Sequence, residues 1–571
     1  MTTAQDAAAT LDVSMPAAVA HAGVWRRGLV AALLVAAVAV AFGNALQNEF
    51  VYDDRLLIVD NRAVGAPLDD LQALGSYRPL RTLSYRLDYA IGGLDPRVFH
   101  LGNLVYHAVT VLLVRAVVER AGASPWAAAA GALLFAVHPV QTDAVTYAAG
   151  RRDILCGLFF AAGFLAYLHY RERKSRVALM MALTSYVLAI LAKEMALTLP
   201  IVCFVYERFA MARAGAPSTR ATRREQMGRS RLFAVLAVVG VLVAGAAYGR
   251  FVRRVVEVTP WHGGTPGANL ATVLRIWTRY LYLIVWPARL SADYSYRAFP
   301  VSTALLDGRA LAAAVLLAAL ALAAWWRWRR GDLAGFGAAW CAVTLLPVSH
   351  IIPYRELLAE HYLYVPMIGV ACVVAGAIDA AGTRASLRRL VLAAVVLVAL
   401  AAAARTIVRN RDWRDTQRLW SATVATVPDC ARARFNLGQA YFERVRFDDA
   451  EREWLAAVAI TPNDLDTLVA LAMLYYRQGR FDAAERWVTA ALAGSADDVR
   501  VLNLAGWVAL DAGDAARALP RFDAALAHVP TAGEGGRLAG ERAAAAAGAR
   551  LGREQATAAL VPPPAPARAR P

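Results

Sequence analysis

GLVAALLVAAVAVAFGNAL, residues Gly28 to Leu46, is a run of nineteen residues without a charge. As a helix rising about 1.5 Å per residue, it is long enough to cross the roughly 30 Å hydrocarbon core of a bilayer. Trp25, Arg26 and Arg27 precede it. A cleaved signal peptide would have a shorter apolar core and a small-residue cleavage site, so this run reads as an uncleaved first span with residues 1–27 in the cytoplasm. Working outward, apolar runs recur over approximately 101–118, 125–138, 154–169, 177–192, 195–209, 232–250, 306–326, 333–349, 362–380 and 388–404, which makes eleven spans. The polar, Gly/Pro-punctuated stretch 47–99 must then be an outer loop. Segment 274–287 is apolar but short, with Arg275 and Arg279 on one face. A twelfth span there would put Arg327–Arg330 and Arg384–Arg389 outside, so it reads as an interfacial or re-entrant helix. With eleven spans, the C-terminal region returns to the side of the 47–99 loop.

Composition agrees with a membrane protein. Of 571 residues, 58% are apolar and 18% charged, outside the ranges of soluble domains, which excludes a purely soluble enzyme, a disordered chain and a secreted disulfide scaffold. The five cysteines form no CxxC pair and read as small buried hydrophobes. The net charge of +17 comes from Lys and Arg gathered in short loops (Arg171–Arg176, Arg208–Arg231, Arg327–Arg330, Arg384–Arg389), a topology signal that contacts anionic membrane lipids. No basic stretch is interleaved with stacking aromatics, so nucleic acid is not an expected partner. The Ala- and Arg-rich, Lys-poor composition suits a high-GC bacterium, with the protein in the inner membrane and the outer loop facing the periplasm.

After Thr406 the pattern changes to amphipathic helices with a repeat of 34 residues. Leu437, Gly438, Tyr441, Ala450, Trp454, Ala457 and Pro462 occupy tetratricopeptide-repeat positions. Leu471, Ala472, Tyr475, Ala484 and Ala491 form a second copy, Gly506, Ala518, Phe522, Ala525 and Pro530 a third, and Trp420 with Pro428 a preceding half-repeat. The expected fold class is therefore all-α: a polytopic helical bundle over 28–404, then a tetratricopeptide α-solenoid over 405–533. The Ala- and Pro-rich tail 534–571 is expected to be disordered.

Candidate chemistry collects at the outer ends of the spans. Asp53 and Asp54 are adjacent acids just beyond the first span, where one can act as a base while the other is held. In Tyr77–Tyr89, Arg81, Tyr85 and Asp88 share a face opposite Leu80, Leu83, Leu87 and Ile91. That describes a surface helix with its cations at headgroup level. Polar groups at span ends are costly unless paired or used: Asn103 with His107, His138, Asp143, Arg151 with Asp153, Lys193 with Glu194, and Arg355, Glu360 and His361. The topology puts Asp53, Arg78, His138, Arg151, Lys193 and Glu360 near one outer face, a mixed-charge mouth suited to an anionic lipid-linked substrate. The nine histidines show no metal-ligand spacing, so no metal site is assigned, although carboxylates could hold a divalent ion without a signature. There is no P-loop, GxGxxG or GxSxG.

Taken together, FVYDDRLLIVDN (Phe50–Asn61), YRPLRTLSYRLDY (Tyr77–Tyr89), FHLGNLVYH (Phe99–His107), HPVQTDAVTYAAGRRDIL (His138–Leu155), LAKEMALTLP (Leu191–Pro200) and AEHYLYVP (Ala359–Pro366), followed by the repeats, resemble the transmembrane and tetratricopeptide-repeat O-mannosyltransferase-like proteins, a branch of the GT-C glycosyltransferases. The resemblance implies transfer of a sugar from a polyprenyl-phosphate donor to a protein Ser/Thr hydroxyl at the outer face. It makes Asp53 and Asp54 the acidic motif that supplies the base. Arg78, Arg151, Lys193, Arg355 and His361 become candidates for the donor phosphate, with Arg81, His138, Glu194 and Glu360 as further site residues. Tyr77 stands where the family usually has His, His361 where Arg is common, and Arg152 where a small residue is usual. The repeats are expected to bind the polypeptide acceptor rather than take part in the chemistry. Two other classes remain open: a membrane-anchored scaffold, in which Asp53 and Asp54 are dispensable, and a transporter, which would place its charges near mid-bilayer.

Overall fold

The structure is a computed structural model that describes residues 17–74, 77–214, 233–246, 260–295, 298–351, 353–354, 356–381, 385–528 and 537–560. Its first part is a helical bundle: α1 (Ala17–Phe42), α2 (Pro79–Gly92), α3 (Pro96–Arg120), α4 (Pro125–Val137), α5 (Thr142–Val145), α6 (Arg151–Arg173), α7 (Arg176–Ala192), α8 (Leu199–Ala214) and α9 (Phe233–Ala246). It continues with α10 (Pro266–Val285), α11 (Gly308–Arg329), α12 (Leu333–Leu345), α13 (Pro366–Ala381) and α14 (Ala385–Asp412). Six segments are long and apolar enough to cross a membrane, those of α1, α3, α6, α8, α11 and α14, and α4, α7, α9, α12 and α13 are shorter apolar helices. These correspond to the eleven runs read from the sequence, and the chain is an integral membrane protein. Only 11% of the spans in α11 and α14 is covered by protein, leaving apolar side chains such as Val315, Leu322, Leu397 and Leu400 outward, as lipid requires.

Local signals set the helix ends. Pro96, Pro125 and Pro266 open helices at the position where a missing N–H costs least. The Asp95, Ser175 and Thr265 side chains accept first-turn N–H groups. In the core, α12 and α13 touch backbone to backbone at Gly337 and Gly369, where a Cβ on either would strike the other's carbonyl. Small residues serve membrane helices this way, because packing replaces the hydrophobic drive between them.

Two ends of the bundle differ. At one, Arg120 pairs with Glu172 at 2.5 Å, Arg213 donates to the Gly122 carbonyl at 2.9 Å, and Gly331 abuts Arg213. These are the basic loops. At the other end lie the 48–78 loop, the 138–150 turns and the segments around 193 and 360. Asn410 ties that end together, donating to the Ala41 carbonyl at 2.8 Å and to Asn44 at 2.7 Å while accepting from Thr146 at 2.6 Å.

The repeats follow α14 after three residues: α15 (Thr416–Thr426), α16 (Ala431–Phe442), α17 (Phe447–Ile460), α18 (Leu465–Arg477), α19 (Phe481–Gly494), α20 (Val499–Asp511), α21 (Ala515–Ala527) and α22 (Arg537–Leu560). Partners α16–α17, α18–α19 and α20–α21 pack as antiparallel pairs. Gly438 is required because a Cβ there would meet Trp454 at 2.5 Å, and Gly506 faces Phe522 in the same way. The Glu49 N–H donates to the Arg414 carbonyl at 2.9 Å. The array therefore lies on the side of the 47–99 loop, as an odd span count demands.

Two expectations change. The tail from 534 is not structureless: α22 lays Ala546, Ala549 and Ala556 against the last repeat beside Phe522, and a Cβ at Gly552 would strike that ring. Residues 534–536 and 561–571 lie outside the described residues. Helix α2 is turned over relative to a surface helix. Arg81, Tyr85 and Asp88 face inward and Leu87 and Ile91 outward, the preference expected where the surroundings are lipid. Segment 274–287 falls in α10, whose Ile276, Tyr280 and Leu283 are buried and whose Arg275 donates to Ser302 at 2.9 Å.

Candidate active site

Immediately after α1 the chain makes a tight turn over Val51–Asp54. Tyr52 has φ +56°, a left-handed conformation that costs a tyrosine on the order of 1 kcal/mol or more and persists only where neighbours enforce it. Its ring lies against Tyr147 with centroids 5.8 Å apart and meets Trp420 edge-on at 5.1 Å, while Trp413 stacks on the far side of Tyr147 at 5.2 Å. This turn separates the two acids. The Asp54 carboxylate is fully buried and accepts the N–H groups of Val51 at 3.1 Å and Ala149 at 2.7 Å. Burial outweighs those bonds and its carboxyl is pushed up to about 8. Asp53 points instead into a cavity, with the Tyr147 hydroxyl accepting its backbone N–H at 3.1 Å.

The cavity has a volume of about 1690 Å³ and lies between the outer end of the bundle and the first repeats. Its floor carries three cations. Arg78, also at a left-handed φ of +55°, donates to both oxygens of Glu194 at 3.0 and 3.1 Å. Lys193 bonds Asp153 at 2.5 Å and lies 4.7 Å from the centre of the Tyr362 ring. Arg152 shares the same Asp153 at 3.4 Å and reaches His361 Nε2 at 3.3 Å. One buried carboxylate thus serves two cations. His361 donates from Nδ1 to Asp143 at 2.8 Å, an assignment set by its partners. Burial would raise the Asp143 carboxyl, but His361 beside it holds it below the usual range. Asp53 is lifted above that range: burial raises it, Arg152 opposes, Glu356 raises it further, and Arg432 and Tyr147 pull it down.

Of the residues expected at the mouth, Asp53, Arg78, Lys193, Glu194 and His361 line this cavity. Others are diverted. Asp54 has both oxygens committed to backbone N–H groups. Arg151 is fully buried and is not among the residues that line the cavity. It pairs with Asp88 and donates to Asn103 at 2.7 Å, the Ser84 carbonyl at 3.2 Å and the Phe99 carbonyl at 2.5 Å. Arg81 is buried in α2 beside Tyr77. His138 bonds the Ile284 carbonyl at 2.9 Å. Glu360 accepts from the Ser291 N–H and the Tyr294 hydroxyl, both at 2.6 Å. Arg355 lies outside the described residues. The cavity also holds residues that the sequence reading passed over: Glu356, which accepts from Tyr362 at 2.8 Å, and Arg432, which pairs with Asp293. Arg152 was noticeable only as an unusual arginine. No group of three His, Cys, Asp or Glu side chains is placed to hold a metal ion among the described residues.

Comparison with known proteins adds to this geometry. The tetratricopeptide-repeat family model matches residues 384–464 and 469–536. Human protein O-mannosyl-transferase TMTC3 is 28% identical over 455 residues, covering 73% of this chain and 50% of that protein. The chain is similar to the TMTC proteins. Human TMTC4 is 27% identical over 471 residues, covering 72% of this chain and 63% of its own, and the Drosophila melanogaster protein O-mannosyl-transferase Tmtc2 is 34% identical over 319, covering 50% and 32%. The likeness to TMTC3 cannot come from repeats alone. Its 73% of 571 residues is about 417, while the chain from 405 onward supplies at most 167. The membrane bundle that carries the cavity is therefore part of what is shared. The chain spans about half the length of the first of these TMTC relatives.

Proposed function

We propose that this chain is a membrane glycosyltransferase that moves a sugar, mannose by the names of its relatives, from a polyprenyl-phosphate carrier to a Ser or Thr hydroxyl of a protein acceptor. The observation that carries this reading is one cavity in which Asp53 faces the cations Arg78, Arg152 and Lys193. Its volume exceeds the roughly 300–1,000 Å³ of an ordinary small-molecule site and leaves room for a sugar headgroup beside a peptide. The cavity opens at the end opposite the basic loops, which favours the outer, periplasmic face of a bacterial inner membrane.

In this mechanism Asp53 takes the acceptor hydroxyl proton as the oxygen bonds the anomeric carbon. The bond from that carbon to the phosphate oxygen breaks, and its electron pair leaves with the lipid phosphate, whose charge Arg152, Lys193 and Arg78 stabilise. A single displacement of this kind inverts the anomeric centre. The raised carboxyl of Asp53 suits a base that must work near neutral pH. The test is incorporation of labelled mannose from polyprenyl-phosphate mannose into a Ser/Thr peptide by the purified chain in lipid discs. Transfer by the wild type that Asp53→Asn abolishes supports the reading; undiminished transfer by that variant refutes it.

A further inference from the structure

Arg432 belongs to the repeats by sequence and to the cavity by position. It lies at the start of α16, in the first complete repeat, and lines the cavity together with Phe435, Asn436 and Gln439 of the same helix. Its guanidinium is tied to Asp293, whose other oxygen accepts the Ser295 N–H at 2.7 Å. The repeat region also holds the turn that aims Asp53. Trp420 of α15 contacts the strained Tyr52, and Trp413 backs Tyr147, the residue whose hydroxyl receives the Asp53 N–H. The packing around this junction is continuous, with Val51, Tyr147, Trp413, Trp420 and Leu437 in a single buried cluster.

We infer that the first tetratricopeptide unit is a component of the catalytic centre, in which Arg432 is a positioning residue for the Asp53 base. The inference rests on the transferase reading above and departs from the expectation that the repeats only present the acceptor. The charged and titratable groups that act most on Asp53 are Arg152 on α6, Glu356 in the loop before 360, Arg432 on α16 with its partner Asp293, and Tyr147 before α6, with Tyr52 and Asp54 on its own turn and Arg78, Lys193, Glu194 and His361 elsewhere on the cavity wall. Of these, Arg152 and Arg432 are the cations that most favour a carboxylate, and only Arg432 comes from outside the membrane bundle. A chain whose repeats have swung away would keep Asp53 but lose this cation and the aromatic brace on Tyr52.

The experiment uses the full chain in lipid discs, polyprenyl-phosphate mannose and a Ser/Thr peptide of a few residues, too short to run along the array. Arg432→Gln should move the acid limb of the kcat/KM profile to higher pH by about half to one unit, because the base then loses a stabilising charge. The KM for the donor should stay constant. Arg432→Lys should bring the limb back. Hydrogen exchange over residues 48–54 guards against simple undocking and should match the wild type in both variants. A Gln variant with the wild-type limb overturns the inference. So does loss of activity in both variants accompanied by faster exchange of that turn, which would make Arg432 only a bracket. A wild type that transfers no sugar would instead remove the transferase reading, and the inference with it.

Discussion

Arg151 and Arg152 are neighbours at the start of α6, yet their surroundings are opposite. Arg151 is sealed: Asp88, Asn103 and two backbone carbonyls take up four of its five donors, and the side chain is fully buried. Arg152 opens on the cavity and shares its one carboxylate with Lys193, so the pair holds more positive than negative charge. The same division separates Asp54, spent on two backbone N–H groups, from Asp53. Residue type does not decide which member of a pair serves chemistry; the number of partners already claiming it does. A buried ion whose hydrogen bonds are all made holds the fold, and one left short of partners can take a ligand.

The comparison breaks most visibly on the acids. Asp53→Asn should lower transfer by about two to four orders of magnitude, with the thermal midpoint of the purified protein unchanged. Asp54→Asn should do the reverse. The amide offers one acceptor where two N–H groups need one each, which costs about 1–3 kcal/mol for the donor left unpaired. Folded yield should fall while the surviving molecules transfer sugar normally. Equal activity losses in the two variants, at equal stability, would abolish the distinction.

The arginines give the next largest effects. Arg151→Ala strands Asp88 in the protein interior and should cost about 3–5 kcal/mol of stability, read as failure to accumulate in the membrane. Arg152→Gln should leave accumulation intact and weaken donor use about tenfold or more, the loss of one charge-assisted contact to phosphate. A normal donor KM in Arg152→Gln would move the phosphate to Arg78 or Lys193.

Much of this architecture was legible because its signals are long or periodic. Uncharged runs marked the helices that cross the bilayer, and a spacing of 34 marked the repeats down to Gly438 and Gly506. The cavity was half legible. Asp53, Arg78, Lys193, Glu194 and His361 were found because polar residues at span ends must be explained, but that argument cannot tell a sealed residue from an open one. Arg151 and Asp54 stand among the candidates for that reason: their partners, Asp88 and the Ala149 N–H, are distant in sequence and reveal themselves only in three dimensions. Arg432 was hidden differently, since a repeat position carries no sign of which other domain it touches. The helix α2 was misoriented because amphipathicity gives two faces without saying which one meets lipid.

The smallest effect expected is also the sharpest check on how the cavity tunes its base. Glu356 lines the cavity, accepts from the Tyr362 hydroxyl at 2.8 Å, and adds to the upward push on Asp53 that burial begins. A base must be deprotonated to act, so activity rises with pH through the Asp53 pKa, and a raised pKa places that acid limb above the ordinary carboxylate range. Glu356→Gln removes a negative neighbour but keeps an oxygen for Tyr362. The Asp53 carboxylate is then less disfavoured, and the limb should shift to lower pH by about half a unit, opposite in sign to the shift from Arg432→Gln. In the double variant the two shifts should largely cancel if both act on the one carboxyl through space. A Glu356→Gln limb that moves upward, or a double variant whose limb follows either single change alone, would show that the titrating group is not Asp53, and the division drawn here between the sealed acid and the open one would have to be redrawn around another carboxylate of the cavity.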